Sequence, residues 1–166
     1  MSIRRIGRHL VAHRWRLRRM FPRNTLASIE RAIKAGEATH SGQIRFAVEA
    51  ALDGAPLLRN QTARERAIDL FSQLRIWDTA NNNGVLIYLL LADRKVEIIA
   101  DRGIDAAVGD AGWAKICAGI EADFRAGRFE AGVIFGIEAV SKQLAAHFPH
   151  HAGDPNELPD APVVME

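Results

Sequence analysis

Eight residues with side-chain oxygens fall on short stretches rich in turn-forming residues: Asp53, Asp78, Asn81, Asn82, Asn83, Asp101, Asp105 and Asp110. Carboxylate and amide oxygens on loops suit a hard cation, since calcium and magnesium take oxygen ligands and water. Asp78, Asn82, Asp105 and Asp110 form the expected metal-ligand set, with Ca2+ or Mg2+ the expected ion. Each of these residues also has a plain structural use. Asp110 can cap a helix, and Asn82-Asn83-Gly84 has the composition of a turn. Convergence of their loops on one edge is what would make them a site.

Other reactive side chains carry less. His9 and His13 are four residues apart and fit the surface of a basic helix. His147, His150 and His151 cluster at a helix end, where imidazolium suits the negative end of the dipole. Cys117 is the single cysteine, which excludes an internal disulfide and reads as a buried thiol. The sequence has no phosphate loop, GxSxG, HExxH or dinucleotide fingerprint, so no catalytic residue is assigned.

The elements that must position the loop oxygens are readable from periodicity. Gly84–Ala92 is almost wholly apolar and β-rich, the pattern of a strand covered on both faces. Val96–Ala100 follows across Asp93-Arg94-Lys95, which predicts a hairpin. Gln43–Leu52 alternates, with Ile44, Phe46 and Val48 on one face and Gln43, Arg45, Ala47 and Glu49 on the other, and reads as a half-buried strand. Helices are predicted from Asn24 or Thr25 to about Gly36, over Thr62–Ile76, from Asp110 to about Arg125, and from Phe129 to His147. Strand, helix and strand between 43 and 92 make a βαβ unit with parallel strands. The expected fold is an α/β class, three-layer α/β/α sandwich with a small mixed sheet covered by helices on both faces.

Charge divides the chain. Residues 1–23 hold eight arginines and no acid, which leaves 14 basic and 20 acidic residues for the rest. Three parts are expected: a basic amphipathic helix over 1–20, a folded body over 21–149, and an acidic, Pro-containing tail over 150–166, expected to be extended against the first helix. The basic helix fits three uses. It can dock on its own acidic body, lie on an anionic membrane surface or meet nucleic acid, the last being the weakest fit. No apolar stretch matches a secretory leader or a membrane span, so the cytoplasm is the expected location.

Four stretches, in order and sensibly spaced, resemble the TPM domain, the family of the thylakoid-lumen photosystem-repair protein and its bacterial relatives. They are Glu37-x-x-x-Ser41-Gly42-Gln43-Ile44; Asn82-Asn83-Gly84-Val85-Leu86 with Asp93-Arg94-Lys95-Val96; Arg102-Gly103-Ile104-Asp105 with Asp110; and Phe124-Arg125-x-Gly127-x-Phe129. The resemblance spans roughly residues 24–147. It implies an α/β/α sandwich, a divalent-cation site among loop acids, with Asp105 and Asp110 where the family carries acids, and an acid-phosphatase activity. Arg128 stands where the family commonly has an acid. The expected function is a non-catalytic, cation-binding interaction or assembly module, whose partner is a protein complex or membrane surface. The alternative is a metal-dependent, phosphatase-like hydrolase.

Overall fold

The computed structural model describes residues 3–11 and 14–165. Two parallel strands fill the middle of a four-stranded sheet ordered β3-β2-β1-β4. They are β1 (Gln43–Glu49) and β2 (Gly84–Leu90), and all seven residues of each are buried. β3 (Lys95–Ala100) returns antiparallel to β2 as the hairpin partner. β4 (Val163–Met165) pairs parallel with the far side of β1. The expected mixed sheet and the parallel β1–β2 pair are therefore present.

Among the described residues seven helices accompany the sheet: α1 (Ile3–Val11), α2 (Arg14–Met20), α3 (Arg23–Glu37), α4 (Gly54–Leu58), α5 (Ala63–Gln73), α6 (Arg102–Arg125) and α7 (Phe129–His147). Side-chain alternation sorts them into layers. Ile44, Phe46 and Val48 of β1 join Val85, Ile87 and Leu89 of β2 in a core closed by α3, α6 and α7. Ala47, Leu86, Tyr88 and Leu90 face the other way, against α4, α5 and Leu158. This is the three-layer α/β/α sandwich that the pattern of strands and helices implies.

Several expectations need correction. The alternation in β1 does not mark a solvated face, because Gln43, Arg45 and Glu49 are all buried under α5 and the tail. Their polarity is used internally: Glu49 takes two hydrogen bonds from Arg66 and one from the Tyr88 hydroxyl at 2.6 Å. The tail does not lie on the first helix; it runs beside β1 and becomes β4. Neither Asn24 nor Thr25 caps α3. Pro22 takes that position, and the Thr25 hydroxyl donates to Glu130 at 2.6 Å.

The 103–110 stretch, expected as a loop, is helical from Arg102, with a break at Gly109 (φ 71°) that only glycine adopts readily. The basic segment forms two helices, α1 and α2. His13 and the side chains of Ile3, Leu10 and Val11, on which its apolar faces were read, lie outside the described residues.

Candidate functional site

At the edge where β2 begins and β3 ends, the Asn81–Asn83 loop meets the first turn of α6. Asn82 holds a left-handed backbone (φ 51°), and its carbonyl accepts the Gly103 amide at 3.0 Å. A β-carbon at Gly103 would come within 2.6 and 2.9 Å of the Asn82 and Asn81 carbonyl oxygens. Glycine is what allows the loop and helix to touch. Asn83 is fully buried and ties the loop to β1 by donating to the Ser41 carbonyl at 3.2 Å.

Asp101 caps α6, accepting the Arg102 amide on Oδ1 at 2.7 Å, and is buried. Its Oδ2 has no hydrogen-bond partner among the described residues. Asp105 lies one turn on and accepts the Trp113 indole N–H on Oδ1 at 2.8 Å.

The structure therefore brings Asn82, Asp101 and Asp105 to one edge. Asp78, on the loop before β2, is exposed and paired with Arg75 at 2.7 Å. Asp110 is exposed beyond the Gly109 break. Asp53 precedes α4, past the carboxyl end of β1 and so at the opposite end of the sheet. The rim acids are thus divided between two ends of the molecule. The populated edge is the amino end of the parallel pair, not the carboxyl end where open α/β sheets usually bind ligands. Among the described residues, no group of three or more His, Cys, Asp and Glu side chains is placed to hold a metal. A cation at this edge would rest on two carboxylates and on amide or carbonyl oxygens, a donor set that suits calcium.

On the tail side, a cleft of about 250 Å³ opens between α3, the start of β1 and residues 150–160. Glu37 accepts the Ile44 amide at 2.8 Å. Burial, with Asp160 beside it, pushes its carboxyl up to about 8. Buried Arg45 donates to the Ala161 carbonyl, and Gln43 accepts the amides of Glu157 and Leu158. Burial lowers the His40 pKa, and its Nδ1 lies 3.1 Å from the Gly42 carbonyl. The Glu37–Ile44 and His40–Gly42 contacts are local, whereas Arg45 and Gln43 reach the tail across more than a hundred positions.

At the carboxyl ends of β1 and β2, Asp93 latches the amino-terminal arm. Arg5 grips it at 2.7 and 2.9 Å, Arg8 reaches it at 3.2 Å, and His9 Nε2 lies 3.1 Å away. His9 Nδ1 accepts the Leu52 amide at 2.9 Å, so Nε2 carries the proton that faces the carboxylate. Burial pulls the Asp93 pKa upward, but the Arg5 and His9 contacts outweigh it and hold the pKa below the ordinary range. The first helix thus docks on its own body. Cys117 is half-buried, and burial pushes its thiol up to about 11, which leaves it unreactive at neutral pH.

The TPM domain family model matches residues 17–143. The chain belongs to the TPM domain family. Among solved structures, it is similar to the BA42 protein from the psychrophilic bacterium Bizionia argentinensis, determined by NMR. The two share 32% identity with a TM-score of 0.73, over 85% of this chain and 92% of that one. The N-terminal domain of a P. gingivalis protein, also solved by NMR, shares 22% identity with a TM-score of 0.57, over 72% of this chain and 75% of that one, and shows the fold alone. No curated protein matches the chain. No helix among the described residues is long and apolar enough to cross a membrane.

Proposed function

We propose that this TPM domain is a binding and assembly module whose β2–β3 edge takes a divalent cation, calcium or magnesium, as a structural ligand and not for turnover. One observation carries the reading: Asp101 Oδ2 is buried with no hydrogen-bond partner among the described residues. An unmade hydrogen bond of this kind is costly, most of all for a charged oxygen. A cation would satisfy it. Asp105 supplies a second carboxylate four residues on, close to the same helix face, and the Asn81 and Asn82 carbonyls crowd Gly103 alongside. The ion would tie the loop to the helix and present a firm edge to a partner. That partner is a protein complex or an anionic membrane surface, met through the arginines of α1 and α2, and the expected setting is the cytoplasm.

Thermal melts of the purified chain in calcium, magnesium and chelator test this. A ligand at a hundredfold excess over its Kd adds about 2.7 kcal/mol, a clear rise in Tm. Asp101→Asn/Asp105→Asn should remove the rise while keeping a helix cap, whereas Asp78→Asn and Asp110→Asn should leave it intact. No cation-dependent rise overturns the proposal. Cation-dependent hydrolysis of a phosphomonoester, lost in the same double variant, would move the assignment to a phosphatase-like hydrolase.

A further inference from the structure

At the opposite end from the cation edge, a cavity of about 520 Å³ opens between α2, the carboxyl ends of β1 and β2, and the last turn of α6. Its volume falls in the range of small-molecule sites. Leu17, Met20, Leu91, Phe124 and Phe129 make an apolar floor, and Arg16, Arg94 and Arg125 stand around it with a single acid, Glu121.

The state of those cations decides what would fit. Arg125 is loosely paired with Glu121 at 3.9 Å, and both Arg16 and Arg94 are exposed. Among the described residues, neither the Arg16 nor the Arg94 side chain makes a hydrogen bond or ion pair. Asp93, next in sequence to Arg94, is already taken by Arg5, Arg8 and His9. The Asp93 carboxylate is thus occupied by other basic residues, which leaves Arg16 and Arg94 at the cavity for a ligand. Trp15 stands 64% exposed one residue from Arg16, with Arg19 stacked over its ring at 5.4 Å. An aromatic ring flanked by cations is the pattern of a surface that meets amphiphiles.

We infer that this cavity binds a single-chain anionic amphiphile of the fatty-acid class, with its carboxylate held by Arg16 and Arg94 and its hydrocarbon chain on the Leu17–Phe124–Phe129 floor. Guanidinium groups suit a carboxylate because their planar donors can engage both oxygens. A fully polar anion would leave the floor wet, and a neutral chain would leave the arginines unused.

The experiment is a calorimetric titration of the full chain with dodecanoate below its micellar concentration, repeated with acetate and with the neutral detergent decyl maltoside. Saturable 1:1 binding of dodecanoate is expected, with acetate silent and decyl maltoside at least tenfold weaker. Arg16→Ala/Arg94→Ala should weaken dodecanoate at least tenfold with the melting curve unchanged, since both side chains lie at the surface. Equal binding of decyl maltoside, or no effect of the double variant, would overturn the assignment. So would a chain that ignores dodecanoate but is retained on vesicles rich in phosphatidylglycerol, which would make the arm a membrane-surface binder. Self-association that the double variant leaves intact and that blocks dodecanoate would instead make the cavity an interface between copies.

Discussion

The sheet has a carboxylate clamp near each end, and the two clamps are set in opposite protonation states. Asp93 holds the amino-terminal arm and is kept ionised by Arg5 and His9. Glu37 faces the carboxy-terminal segment through Asp160 and Arg45, and burial drives its carboxyl toward the protonated form. Both side chains approach the interior; what differs is the company. A carboxylate with cationic donors in reach stays charged, and one facing a second carboxylate with little solvent takes up a proton. The arm is therefore an acid-sensitive attachment and the tail a base-sensitive one.

Removing Asp93 should give the largest effect. Asp93→Ala leaves Arg5 and His9 without their anion and should cost about 3 kcal/mol of arm docking. Tryptic cleavage within residues 4–8 should accelerate while the body stays folded. If the arm stays as protected as in the parent protein, the latch does not hold it. Gly103→Ala comes next, because its new methyl group would meet the Asn82 carbonyl at 2.6 Å. A loss of about 2 kcal/mol is expected in chemical denaturation, and an unchanged midpoint would show that the loop and helix do not touch.

The two carboxylates also respond to pH in opposite directions. Glu37 binds its proton more tightly folded than unfolded, so its contribution is fully present below about pH 4.5 and declines until pH passes about 8. Glu37→Gln should flatten this decline and raise stability at pH 9 by about 2 kcal/mol, read from urea midpoints across that range. Asp93 behaves oppositely. Its stabilisation is present above the ordinary carboxylate value of 3.8 and is lost as pH falls through its lowered folded value. Hydrogen exchange should show α1 amides opening first in acid and β4 amides opening first in base. Opening in the same order at both extremes would erase the distinction. The smallest expected change is Trp113→Phe, which removes one hydrogen bond to Asp105 for about 1 kcal/mol and is read from the melting temperature.

What the sequence made legible follows from the range of each interaction. β2 was readable because seven consecutive apolar positions have few other uses, and β1 because its two faces separate Ile44, Phe46 and Val48 from Arg45 and Glu49. The start of α5 was readable because Thr62 and Glu65 cap each other three residues apart. β4 left no such trace: three residues in a Pro-containing tail become a strand only because the side of β1 is open to them. The first turns of α6 are hidden in the sequence because Gly103 and Gly109 look like loop punctuation, whereas one packs against a carbonyl and the other breaks the helix.

The site was partly legible. Asn82 and Asp105 are both expected on loops; the structure keeps Asn82 on the loop before β2 and puts Asp105 in the first turns of α6, which that loop touches through Gly103. The orphan oxygen of Asp101, the Asp93 latch 88 residues from Arg5 and the Glu37 cluster all depend on three-dimensional contact. Periodicity carries no information about any of them.

On the proposed function, the loop before β2 and the first turn of α6 jointly take a cation. Calcium titration followed in the ¹H–¹⁵N spectrum of the full chain tests it most directly, because the Gly103 amide and the Trp113 indole N–H report on that edge. Saturable shifts are expected, centred on Asn82, Gly103, Asp105 and the Trp113 indole, and absent in Asp101→Asn/Asp105→Asn. Saturating calcium that leaves these signals still, or that moves only the exposed His150–Asp154 turn, would contradict it.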